Sequence, residues 1–154
     1  MEIKFRIYDC ENEEIIYGVG ITPKSDTSIP YKVNDDDDSF ENFSYYPDSA
    51  LIQFIGLNDR NHKNIYDGDL VRITNTNRFF NENINCISKV KIIEGHAYVW
   101  LNPIISGKKK HYGARLLMKG ETKHVRDHVI ASSDVEIIGN IYENLELLGE
   151  EEIR

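Results

Sequence analysis

Cysteine is scarce in this 154-residue chain: Cys10 and Cys86 are far apart and form no CxxC pair. They read as free thiols of a cytosolic protein, neither a disulfide staple nor a metal knuckle. Long apolar runs are missing as well. The cleanest, Ala50 to Leu57, falls far short of the ~20 residues a membrane-spanning helix needs. Glu2, Lys4, Arg6 and Asp9 interrupt the start of the chain, where the apolar centre of a secretory signal would sit. No Walker A, GxGxxG or GxSxG pattern occurs, and neither cysteine has an adjacent histidine. The sequence therefore offers no nucleotide cradle and no activated nucleophile, and it is read as a non-enzyme without a cofactor.

Alanine, the best helix former, occurs only at Ala50, Ala97, Ala114 and Ala131, against 21 isoleucines. β-branched side chains lose rotamer freedom on a helix and pack well on a pleated sheet, so a mainly β fold is expected. Fourteen asparagines and 10 glycines supply turns. With 40% hydrophobic residues, disorder is excluded. One domain of this length buries roughly 70% of its unfolded surface.

Residues 2–7 alternate, with Ile3, Phe5 and Ile7 on one face and Glu2, Lys4 and Arg6 on the other, as in a half-buried strand. Glu14 to Ile21 reads as the returning strand, in which Gly18 and Gly20 mark a bulge or a close backbone approach. Pro23 to Pro47 has little periodicity and reads as a long connection, and Asn75 to Asn85 as a second one. Leu51 to Ile55 and Asp69 to Thr74 read as strands. Cys86 to Glu94 and His96 to Leu101, split by Gly95, form a hairpin with Ala97, Val99 and Leu101 on one face and His96, Tyr98 and Trp100 on the other. Tyr112 to Met118 fits strand or helix. Lys123 to Ser132 carries a weak helical pattern through Val125 and Val129, and Val135 to Tyr142 alternates again. Asn144 is placed to cap a last short turn, Leu145 to Leu148. Short strands, glycine turns and no βαβ rhythm point to a small barrel or roll. Its expected core is Ile3, Phe5, Ile7, Phe54, Val71, Ile73, Val90, Ile92, Val99, Leu101, Ile137 and Ile141.

Two stretches are distinctive: QFIGLNDRNHKNIYDGDLV (Gln53 to Val71) and VEIIGNIYENLELL (Val135 to Leu148). With the opening KFRIYD and IYGVGIT (Ile16 to Thr22), they resemble the YopX family of phage and prophage proteins. That family typically reads QFTGLKDKNGKEIYEGDIV in the middle and EVIGNIYENPELL near the end. The resemblance implies an SH3-like barrel with extra N-terminal strands, and a setting in the cytoplasm of a Gram-positive host. It carries no defined molecular function and hence no catalytic residues. On it, residues 1–154 form a single domain: an N-terminal hairpin and acidic loop over 1–50, a barrel over 51–148 and an acidic tail over 149–154. Three positions depart from the pattern: Ile55 replaces Thr, His62 replaces the Gly of the Asn-Gly turn, and Leu145 replaces Pro. The second removes the residue best suited to positive φ.

The motif residues Gly56, Asp67, Gly68, Asp69, Gly139 and Asn140 are read as structural, since Asp67-Gly68-Asp69 before Leu70 is a turn leading into a strand. Gly68 and Gly139 should have positive φ or lie against a close backbone. The run Asp35 to Asp38 reads as a solvated loop, because an EF-hand starting at Asn34 or Asp35 would lack its Gly and its Glu. Nearby Phe40, Phe43, Tyr45 and Tyr46 either pin that loop or dock a partner. His124 and His128 lie four apart, but without a HExxH pattern or a third ligand no metal is assigned.

Charge is distributed unevenly. The whole chain is net −8, yet residues 87–128 are net +6 while residues 1–60 are net −8 and residues 129–154 net −6. Lys108, Lys109, Lys110, Arg115, Lys119, Lys123 and Arg126 form the candidate partner-binding block. Opposite charge blocks on one chain favour association, so the expected role is a protein-interaction module whose partner is another copy of the chain or a host or phage protein. The alternative is a nucleic-acid-binding barrel using segment 87–128 with His96, Tyr98 and Trp100 as a stacking surface.

Overall fold

The computed structural model describes residues 4–22, 29–33, 43–45, 49–73, 86–101, 104–105, 108–109, 112–118, 120–121 and 129–148. The fold is mainly β, with no helix of seven or more residues among those described. None of these helices is long and apolar enough to cross a membrane. Two compact units divide the chain, Met1–Phe54 and Ile55–Arg154, with the boundary inside the strand Ser49–Asn58.

In the first unit, β1 (Phe5–Asp9) is flanked by β2 (Glu14–Tyr17) and by the first part of β6 (Ser49–Asn58). Both pairings are antiparallel, with Ile7 opposite Ile16 on one side and Leu51 on the other. The β1–β2 turn is tied by Asp9, whose carboxylate accepts the Glu11 N–H (3.1 Å) and the Asn12 side-chain amide (2.8 Å). The expected strand from Glu14 to Ile21 is instead broken at Gly18, where φ is +69°. That left-handed residue carries the chain out of one sheet and into another, formed by β3 (Gly20–Thr22), β4 (Ile29–Val33) and β5 (Phe43–Tyr45). Gly20 lies against its ladder partner: a Cβ there would sit 2.6 Å from the Tyr31 ring. Two short strands thus occupy the stretch expected to be one long connection. The acidic run Asp35 to Asp38 lies outside the described residues.

The second unit begins with the rest of β6, followed by β7 (Asn64–Tyr66) and β8 (Asp69–Ile73). After β9 (Cys86–Lys89) come β10 (Lys91–Ile93) and β11 (His96–Leu101), then the short β12 (Ile104–Ile105) and β13 (Lys108–Lys109). The last strands are β14 (Tyr112–Leu117), β15 (Val129–Ala131) and β16 (Val135–Asn140). They form ladders in the orders β16-β8-β9 and β10-β11-β14-β15, and β12 pairs with β13. The β10–β11 hairpin closes through Glu94 (φ 51°) and Gly95 (φ 81°). Two central residues with positive φ make the tight turn whose twist matches the strands it joins.

Tyr112 to Leu117 is a strand, which settles the ambiguity of that segment. The helical reading of Lys123 to Ser132 is corrected where it is described. Val129–Ala131 is a fully buried strand parallel to β14, followed by a 3-10 turn at Ser132–Asp134. A three-residue strand buried on both faces has no alternation by which to recognise it.

The main core joins Ile65, Val71, Ile73, Val90, Val99, Leu101, Ala114, Leu116, Ile130 and Val135, with Ile55, Leu57 and Ile137 packed against it. Of the expected core residues, Ile7, Phe54, Val71, Ile73, Val90, Val99 and Leu101 are buried. Phe5, Ile92, Ile137 and Ile141 are half-buried, and Ile3 lies outside the described residues. Ile7 and Phe54 belong to the first unit.

Candidate functional site

The two distinctive stretches meet in space. Asp59, 3% exposed, is the centre of a clip. One carboxylate oxygen accepts the N–H groups of Asn61 and Lys63, each at 2.9 Å, and so closes the turn that follows β6. The other oxygen accepts the N–H of Ile137 at 2.9 Å, which fastens that turn to β16. Arg60 adds two bonds in the same direction. Its N–H donates to the Val135 carbonyl (3.0 Å), and its guanidinium pairs with Glu136 at 2.8 Å. The turn places His62 at φ 63°, a left-handed conformation that glycine adopts without strain.

The Asp67-Gly68-Asp69 turn is a second clip. Asp67 accepts the Ile92 N–H (3.0 Å), and buried Asp69 accepts the Tyr66 N–H (2.8 Å). Gly68 (φ +85°) donates its N–H to Val90 and accepts from Ile141, while the Val90 N–H bonds the Asp69 carbonyl. A side chain at position 68 would crowd Ile141 at 3.3 Å. At the end of β16, Asn140 accepts the N–H groups of Tyr142 and Glu143 with one side-chain oxygen. Gly139 is not left-handed. What it makes room for is the Asn144 side chain, whose Oδ1 would lie 2.5 Å from an added Cβ. Asn144 therefore does not cap the 3-10 turn Leu145–Leu147 but reaches back to the Asn140 N–H at 3.2 Å.

An open recess of about 370 Å³ lies beside the first clip. It is lined by the segment Gly56 to Arg60, which includes Asp59, and by His62, together with Met118, Ser132 and Ser133. Met118 is 54% exposed, unusual for a thioether side chain. Ser132, 7% exposed as a residue, contributes to the opposite part of the lining. Neither residue belongs to a motif legible in the sequence: Met118 follows β14 and Ser132 opens the 3-10 turn after β15. Asp59 was legible in principle, since an Asp two residues before a loop amide is a common turn-former.

Of the basic block, only Arg115 has a described side chain; it is half-buried on β14, opposite Tyr98 and Val129. Lys108 and Lys109 form β13 through their backbones, and Lys110, Lys119, Lys123 and Arg126 lie outside the described residues, as do His124 and His128. Cys10 is a free, exposed thiol. Among the described residues there is no group of three or more His, Cys, Asp or Glu that could hold a metal ion.

Comparison with known proteins gives a consistent picture. The family model described as YopX protein matches residues 4–149, nearly the whole chain. No curated protein matches the sequence. The crystal structure of protein EF1440 from Enterococcus faecalis is similar over 97% of this chain and 99% of that one, with a TM-score of 0.53 and 20% sequence identity. At that identity the likeness concerns the fold alone.

Proposed function

We propose, since the chain belongs to the YopX family, that it is a non-catalytic phage or prophage accessory protein acting in the host cytoplasm by docking onto another protein. An SH3-like barrel for the second unit is part of the same reading, supported by the resemblance of the two motifs. The polar atoms of those motifs are engaged inside the fold. Asp59, Asp67, Asp69 and Asn140 all direct side-chain oxygens at main-chain amides. The observation that carries the docking reading is the recess, whose lining brings exposed Met118 and the side chain of Ser132 together.

The chemistry of that pair specifies its occupant. A thioether favours the edge of an aromatic ring by ~0.3–1.5 kcal/mol. The Ser132 side chain offers a hydroxyl that can donate to or accept from a polar group entering with the ring. A partner tyrosine supplies both, and tyrosine is enriched among the side chains that dominate interface energies. The test is affinity capture from bacterial lysate with and without nuclease, using the wild-type chain and Met118→Glu. Support is a protein retained after nuclease treatment, lost with Met118→Glu and displaced by N-acetyl-tyrosine amide. Retention unaffected by the variant, or abolished by nuclease, contradicts the reading.

A further inference from the structure

We infer that the outward face of β10, β11 and β14 binds single-stranded nucleic acid. This goes beyond the docking recess and uses none of its residues. Along β11, Ala97, Val99 and Leu101 are buried, which leaves His96, Tyr98 and Trp100 on the opposite face. The ladder register sets Lys91 of β10, Tyr98 of β11 and Arg115 of β14 directly opposite one another. Partners in register share a face, so these three make a cation–aromatic–cation row across the sheet. Two residues along, half-buried Trp100 is opposite Gly113, where an added Cβ would lie 3.7 Å from the indole nitrogen. The Lys89 ammonium stands 5.9 Å from the Trp100 ring centroid. At the hairpin end, His96 and Ile93 are opposite one another and both exposed.

Strands β10, β11 and β14 contain no Asp or Glu, although the chain as a whole is net −8. Cations are thus interleaved with aromatic rings on a rigid sheet, within an otherwise acidic molecule. A nucleic-acid strand matches both features: phosphates pair with Lys91, Arg115 and Lys89 while unpaired bases stack on Tyr98 and Trp100. A duplex keeps its bases stacked inside and offers only phosphates, so the face selects single strands. An acidic protein would satisfy the cations but would make no use of the rings.

Trp100 is the chain's one tryptophan, so its fluorescence reports on this face alone. The experiment titrates the full chain with fluorescein-labelled oligothymidylate, with a duplex of equal length and with heparin, following anisotropy and, with unlabelled strands, Trp100 emission. The expected result is binding of the single strand that quenches Trp100, falls steeply with salt and exceeds duplex binding about fivefold or more. Lys91→Glu, at an exposed position, should weaken it about fivefold or more, as should Tyr98→Ala, while Tyr98→Phe retains it. Absence of any anisotropy change overturns the inference. So does binding in which heparin and duplex compete equally and Tyr98→Ala has no effect, the behaviour of a face made for an acidic protein. A chain that fails here but captures a protein through Met118 leaves the docking proposal standing.

Discussion

Replacing Asp59 with alanine removes one side chain and strands three N–H groups at once. Two of them, on Asn61 and Lys63, belong to exposed residues of the turn, so water replaces part of what they lose. Each of those bonds contributes about 1 kcal/mol. The third, from Ile137, lies where the turn is fastened to β16, and leaving such an amide without an acceptor costs ~1–3 kcal/mol. An ionised acceptor raises the upper end. The sum is a loss on the order of 3–5 kcal/mol, a large share of the ~5–15 kcal/mol that stabilises an ordinary domain. Asp59→Asn keeps one acceptor oxygen but sets an amide N–H2 in place of the other, so it should lose about half as much. Urea unfolding followed by circular dichroism measures both. The midpoint should fall in the order wild type, Asn, Ala, with little change in the slope. If Asp59→Ala lies within about 0.5 kcal/mol of wild type, the clip does not hold the fold and the argument from its geometry fails.

Other substitutions test the remaining joints by the same unfolding measurement. Gly68→Ala forces a side chain into φ +85° and against Ile141, and should cost ~1 kcal/mol or more. Gly139→Ala must expel the Asn144 side chain from its bond to the Asn140 N–H and should cost ~1–3 kcal/mol, with altered shifts at both asparagines by NMR. His62→Gly relieves a left-handed histidine and should leave stability equal or raise it by up to ~1 kcal/mol. Asp67→Ala frees the Ile92 N–H, whose hydrogen exchange should then accelerate at least tenfold relative to wild type.

Reading from sequence worked wherever a short local pattern carried the physics. The alternation at Ala97, Val99 and Leu101 gave both faces of β11, Gly95 marked the hairpin turn and Gly68 marked a left-handed turn. It failed where neighbours are distant or patterns are short. The β14–β15 pairing is parallel and needs a crossover instead of a tight turn, and three buried residues present no period. The bond from Asp59 to Ile137 spans 78 residues, so nothing near Asp59 announces it. Asn144 looked like a helix cap because asparagine favours that position; the bond it makes instead depends on the space left by Gly139. The recess was invisible for the same reason: Met118 and Ser132 acquire meaning only beside Gly56 and His62.

The central claim is that the buried carboxylates and glycines of the two distinctive stretches build the fold, while the recess walled by the first of them does its binding through Met118 and Ser132. Its most direct test pairs hydrogen exchange with partner capture in three variants: Asp59→Asn, Asp67→Ala and Met118→Glu. Faster exchange at Ile137 in the first and at Ile92 in the second, with capture kept in Asp67→Ala, is the predicted result. Met118→Glu should leave both amides protected and abolish capture. The contrary result is an Asp67→Ala chain that keeps its exchange pattern and stability yet loses its partner, which would place binding at the Asp67-Gly68-Asp69 turn and not at the recess.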